Sequence, residues 1–201
     1  MQVAFASGNA HKVREVKQIF EANGLSGFDL LSSRDFDFSD PIEDGLTFEA
    51  NALIKARALC AASGLVTIAD DSGIFVDVMG GAPGIFSARW AGRHGDDKAN
   101  LELLLAQLKD VPDAGRAGGF KCAAALVLPS GQEIVETGVL RGTILHEIHG
   151  ENGFGYDPIV RPDGFDRSCA ELSVVEKNSI SHRYLAFTAL APKLKAALDL
   201  S

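Results

Sequence analysis

The stretch Leu65-Val66-Thr67-Ile68-Ala69-Asp70-Asp71-Ser72-Gly73 sets a short apolar run directly against two carboxylates and a small polar turn. Residues 65–69 read as a buried strand, because a brief apolar run bounded by turn residues is too short for a helix. Upstream, residues 47–63 carry Leu53, Ala56 and Cys60 at helical spacing, and Gly64 supplies a natural stop. Downstream, Ile74–Val78 is a second short apolar run, and Gly80-Gly81-Ala82-Pro83-Gly84 must be loop. Helix and strand therefore alternate around this point, which predicts an α/β fold.

The rest of the chain extends the pattern. Residues 2–6 predict a strand, followed by Ser7-Gly8-Asn9 and a helix marked by Val13, Val16 and Phe20. A third helix carries Leu101, Leu104, Leu105 and Leu108. Residues 120–128 and 133–140, joined through Pro129-Ser130-Gly131, predict an antiparallel hairpin. A closing helix runs from about Ser181 towards Leu198 and is perturbed by Pro192. Early alternation followed by a hairpin implies a mixed sheet flanked by helices. With no repeat or linker visible, residues 1–201 read as one domain.

Composition narrows the classes. Hydrophobic content of 46% and charged content of 23% fit a soluble globular chain. The net charge of −8 argues against binding a nucleic acid polymer, which demands a basic face, but leaves room for a small anion held in a local cluster of cations. Cys60, Cys122 and Cys169 are odd in number and widely spaced, so reduced, buried thiols and a reducing compartment are expected. Neither a signal-peptide core nor an uninterrupted apolar run of about 18 residues is present, and a cytoplasmic protein without a membrane span is expected.

Five groups of residues could carry chemistry. Ser7-Gly8-Asn9-Ala10-His11-Lys12 leads from a strand into a helix, where unpaired N–H groups and the Lys12 charge suit a phosphate; a simple helix cap is the alternative. Asp70 and Asp71 point to opposite faces of an extended chain, so one is expected in a cleft and the other in hydrogen bonds to the turn. Hard oxygen ligands of this kind suit Mg²⁺, although Asp-Asp-Ser-Gly is also ordinary turn chemistry. Glu43 and Asp44 precede a helix on which Asn51 and Lys55 share a face. Gly153-Phe154-Gly155-Tyr156-Asp157-Pro158 offers either a stacking face for a base or a core anchor, and Glu176-Lys177-Asn178 with Ser181-His182-Arg183 gathers cations near the last helix. By contrast His146-Glu147-Ile148-His149 spaces its histidines three apart, not four, and is not a zinc helix.

Taken in order, these stretches resemble the noncanonical purine nucleoside triphosphate pyrophosphatase family, the inosine/xanthosine triphosphate pyrophosphatases. The resemblance rests on Ser7–Lys12, on Gly45-Leu46-Thr47-Phe48 with Asn51-Ala52 and Lys55-Ala56, and on Ala69–Gly73. It continues through Gly80–Trp90, Gly153–Pro158, Glu176–Asn178 and Ile180–Arg183. Many members carry Thr where this chain has Ser7; both keep a hydroxyl.

The resemblance implies hydrolysis of ITP, dITP and XTP to the monophosphate and pyrophosphate, on an elongated mixed sheet whose two lobes flank a central cleft, in a homodimer. It implies a triphosphate grip at Ser7, Gly8, Asn9, Ala10, His11 and Lys12, with a further phosphate contact at Lys55. Glu43 and Asp71 are implied as magnesium-associated acids, Asp71 also as the base, and Ser72 as a substrate contact. Phe154, Gly155, Tyr156, Asp157, Lys177, His182 and Arg183 are implied in nucleoside recognition, with Arg183 donating to a 6-keto oxygen. Three alternatives are weaker: a pyrophosphatase for ordinary or modified pyrimidine triphosphates, a nucleotide sensor without turnover, and a structural or protein-interaction module.

Overall fold

A computed structural model describes residues 1–199. Six strands form one mixed sheet in the order β2-β1-β3-β4-β5-β6. They are β1 Gln2–Phe5, β2 Asp29–Ser32, β3 Thr67–Val76, β4 Ala117–Val127, β5 Glu133–Ile144 and β6 Val160–Pro162. The helices are α1 Ala10–Ala22, α2 Phe48–Ser63, α3 Asp97–Gln107, α4 Val174–Ile180 and α5 His182–Asp199. β1 is parallel to both β2 and β3, as expected where helices α1 and α2 make the crossovers, whereas β5 and β6 are antiparallel. The fold is thus α/β with a mixed sheet. No helix of the described residues is long and apolar enough to cross a membrane.

The chain, expected as one domain over 1–201, packs into two compact units, each built from separated stretches; residues 200–201 lie outside the described part. Unit 1 comprises residues 1–71, 122–138 and the segment from Arg183 on, and unit 2 comprises 72–121 and 139–182. Strands β3, β4 and β5 contribute to both.

Unit 1 shows how strand alternation sorts its residues. On one face Val3, Phe5, Ile68, Cys122, Ala124 and Leu126 pack with Val16 and Phe20 of α1 and with Phe187, Leu190 and Leu194 of α5. Phe187 meets Phe5 and Phe20 edge-on, at centroid separations of 6.0 and 5.7 Å. Truncating this ring to alanine costs about 3–5 kcal/mol, the usual penalty for emptying a buried aromatic site. Positions of the other parity are Ala4, Ala69, Ala123 and Ala125, all fully buried. Helix α2 starts on a Thr47 side-chain cap and stops at Gly64, whose φ of 70° places it in the left-handed region.

Unit 2 has its own core of Ile74, Val76, Leu101, Leu104, Phe120, Ile144, Tyr156 and Ile159. Arg116, 1% exposed, is held there by backbone carbonyls: its guanidinium donates to those of Leu108, Ile144 and Leu145 at 2.6, 2.7 and 2.6 Å. All three cysteines are buried and free.

Three expectations needed revision. Residues 65–69 and 74–78 are not separate strands; they merge into β3, and Asp70 and Asp71 lie mid-strand, not at its end. The strand continues because Gly73 leaves room for Ser87, whose hydroxyl accepts from the Ile74 N–H at 3.0 Å. β2, β6 and α4 have no counterpart in the sequence reading; each is too short to display a period.

Candidate active site in unit 1 and an aromatic segment in unit 2

Period-2 alternation along β3 sends Asp70 and Asp71 to opposite faces, as the sequence predicts. Their partners differ accordingly. Asp70, with a side chain 1% exposed, accepts from Lys12 Nζ at 3.2 Å and from Arg183 Nε and Nη2 at 3.2 Å each. Burial alone would raise its pKa, but the Lys12, Arg183 and Lys55 charges prevail and hold the carboxyl far below the usual carboxylate range. Arg183 Nη1 also donates to Glu15 at 2.9 Å. Asp70 therefore does not bond the turn backbone as expected; it anchors a buried ion-pair network between α1, β3 and α5.

Asp71 faces α2. Its Oδ2 accepts from Asn51 Nδ2 at 3.1 Å, and its Oδ1 lies 3.5 Å from Lys55 Nζ. The same ammonium donates to Glu43 Oε2 at 3.0 Å. The four-residue spacing of Asn51 and Lys55 thus delivers both to one carboxylate. Burial raises the Asp71 pKa above its ordinary value, Lys55 and Asn51 oppose the shift, and the nearby Glu43 and Asp70 charges add to it. For Lys55, burial pulls downward, but Asp71, Asp70 and Glu43 outweigh it and the pKa rises. Two carboxylates share one ammonium here, which leaves a local excess of negative charge on hard oxygen atoms. Among the described residues no cluster of three or more His, Cys, Asp or Glu side chains forms a closed metal cage.

At the first turn, Asn9 Oδ1 caps α1 by accepting from the N–H groups of His11 and Lys12 at 2.9 and 3.4 Å. The cap and the Lys12 charge are both realised. Ser7 Oγ accepts from Asn9 N at 3.3 Å, and Ala10 is the first residue of the helix. The Gly8 backbone is closely approached by Arg34 and Ser33. His11 Nδ1 lies 3.0 Å from Arg14 Nη2.

In unit 2, Phe154 is 62% exposed, and Lys177 Nζ sits 4.8 Å from its ring centroid. Lys177 is held by Asp157 Oδ2 at 2.5 Å, and that oxygen also accepts from Phe154 N at 2.8 Å. The buried Asp157 therefore fixes both the aromatic and the cation. Gly155 N donates to Asp97 at 3.1 Å. His182 stacks on Phe120 with centroids 5.1 Å apart. Ser72 opens the unit 2 portion of β3.

Two residues expected at the substrate are also engaged within the protein. Tyr156 is buried in the unit 2 core and its hydroxyl donates to Ser87 O at 2.8 Å, so its side chain is the core anchor. Arg183 is 3% exposed, with its guanidinium paired to Asp70 and Glu15. Sequence reasoning missed Glu15, whose partner lies 168 residues away. Strand parity could have predicted a buried Asp70, but no local signal names its cations.

The fold is that of an α/β protein with a mixed sheet, and solved structures narrow the class. The chain superposes on the crystal structure of a nucleoside-triphosphatase, dITP/XTP pyrophosphatase, from Mycobacterium abscessus with a TM-score of 0.82 and 48% identity, over 96% of this chain and 100% of that one. A HAM1 protein from Coxiella burnetii gives a TM-score of 0.90 at 35% identity, over 98% and 99% of the two chains. A dITP/XTP pyrophosphatase of Streptomyces avermitilis is 54% identical over 198 residues, 98% of each chain. The Ham1 family profile matches residues 3–193, and the chain belongs to the Ham1 family.

Proposed function

We propose that the chain hydrolyses noncanonical purine nucleoside triphosphates, dITP and XTP among them, to the monophosphate and pyrophosphate. The observation that carries this reading is the Glu43–Lys55–Asp71 cluster, in which one ammonium answers two carboxylates. Relatives at about half identity that bear the dITP/XTP pyrophosphatase name support it.

The donor set suits Mg²⁺. The cluster consists of oxygen ligands only, has a net negative charge, and leaves coordination positions for water and substrate phosphate, as this ion prefers. Glu43 and Asp71 would hold it. When bound, Mg²⁺ would neutralise phosphate charge and lower the pKa of coordinated water.

The remaining steps belong to the chain's own groups. Asp71 accepts a proton from the water whose oxygen attacks the α-phosphorus. The new P–O bond forms as the bond to pyrophosphate breaks, and the electron pair leaves with pyrophosphate. Lys12 and Lys55 offset the charge on the departing oxygens; Ser7, Gly8, Asn9, Ala10 and His11 shape the turn that carries Lys12, and Ser72 contacts substrate. In unit 2, Lys177 lies over the ring of Phe154, and this exposed ring would stack on a base. Asp157 fixes that segment, and Gly155 and His182 are further nucleoside contacts of the proposal. The reading includes a homodimer in the cytoplasm, consistent with three reduced thiols; sedimentation tests the oligomer.

A panel of dITP, XTP, dATP, dGTP and dCTP, with pyrophosphate detection at varied Mg²⁺, tests the proposal. dITP and XTP are expected to exceed dATP in kcat/KM by about 10² or more, because a site that hydrogen-bonds one group rejects its opposite. Equal rates across the panel, or release of inorganic phosphate alone, would refute it.

A further inference from the structure

Asn51 lies in the first turn of α2 and is 3% exposed. One end of its amide is engaged, since Nδ2 donates to Asp71 Oδ2 at 3.1 Å. The other end is not. Oδ1 is buried and accepts no hydrogen bond, and the chain closes over it at Gly45, where a Cβ would lie 2.6 Å from that oxygen. Exchanging the amide's ends would set its oxygen against a carboxylate oxygen, so the observed orientation is the chemically favoured one.

A buried acceptor without a donor disfavours the folded state. On its own face of α2 stands Lys55, one turn on, and both side chains reach Asp71. The asparagine is therefore placed for that carboxylate, at the cost of an unmet acceptor. What it does supply is direction. A carboxylate turns easily about its last torsion. Lys55 holds Asp71 Oδ1 only at 3.5 Å, the limit of a hydrogen bond, whereas Asn51 holds Oδ2 at 3.1 Å.

We infer that Asn51 is a positioning residue for Asp71: its Nδ2–H fixes the rotation of that carboxylate so that a lone pair stays directed at the proton of the attacking water. Its unmet Oδ1 is the structural cost of that hold. The inference rests on the role proposed for Asp71 and goes beyond it by adding a group that touches neither substrate nor metal.

Asn51→Leu, close in size, and Asn51→Ala, which cannot crowd Gly45, test it together. In both, kcat on dITP is expected to fall about 10–100-fold, the usual effect of losing a group that orients a catalytic ligand, while KM changes less than about threefold. Both changes also remove a donor from a part-buried carboxylate, so a modest fall in melting temperature is expected in each, and the split between kcat and KM is the deciding readout. A merely structural residue would lower the melting temperature and leave kcat of the folded protein intact. If Asn51→Leu fails to fold, kcat of Asn51→Ala decides. Wild-type kcat in a folded variant overturns the inference and leaves the proposed function standing. A wild-type protein without turnover overturns both.

Discussion

Asp70 and Asp71 are consecutive on β3, yet they answer to different cations: Asp70 to Lys12 and Arg183, Asp71 to Lys55. One peptide unit thus separates a carboxylate driven down in pKa from one driven up. Asp70 has the properties of a fixed counter-ion. Asp71 has those of a group that can receive a proton.

Asp70→Asn is expected to destabilise the protein by about 3–5 kcal/mol at pH 7, because it leaves the buried Arg183 guanidinium short of a partner. The folded-state pKa of Asp70 is depressed, so its contribution is complete above the unfolded carboxyl value of about 3.9 and is lost as pH falls towards the lower folded value. Urea titrations are therefore expected to show a wild-type-to-variant gap that is constant above about pH 5 and shrinks below about pH 4.

Asp71→Asn is expected to have the opposite balance. Turnover falls by roughly 10³-fold or more, as for loss of a general base that also holds a metal. Stability at pH 7 is unchanged or higher. The folded-state pKa of Asp71 is raised, so the charged form is penalised increasingly as pH climbs through that value, and the amide removes the penalty. Lys55 keeps Glu43 at 3.0 Å. Calorimetry and steady-state rates on one preparation check both halves.

Tyr156→Phe distinguishes a core anchor from a ligand contact. Losing the hydroxyl orphans the Ser87 carbonyl and is expected to cost about 1–3 kcal/mol of stability. Because the ring is buried in the unit 2 core, kcat/KM for dITP is expected to stay within about threefold of wild type.

Phe154→Ala reverses that pattern. With the ring 62% exposed, the melting temperature is expected to be unchanged, whereas KM rises about 10–100-fold, matching the loss of one base-stacking contact. Isothermal titration with a non-hydrolysable dITP analogue checks the binding term directly.

Much of this was legible in the sequence wherever the signal was local. Thr47 and Gly64 mark the ends of α2, Asn9 marks the start of α1, and the spacing of Asn51 and Lys55 gives their shared face. β3 was misread at Ser72-Gly73, where turn-forming residues continue a strand because Ser87 packs where a side chain would be. The partners of Asp70 were illegible for a different reason: Lys12 is 58 residues away and Arg183 is 113. Ion pairs over such separations arise from topology. Tyr156 shows the limit of motif reading, since an aromatic beside a binding segment can serve the core.

In the proposed reaction, water deprotonated by Asp71 attacks the α-phosphorus of a noncanonical purine triphosphate. Hydrolysis of dITP in ¹⁸O-enriched water under single-turnover conditions, with mass analysis of both products, tests it most directly. The account predicts that the label enters dIMP and that pyrophosphate stays unlabelled. Label in the pyrophosphate would place the attack on the β-phosphorus and contradict it.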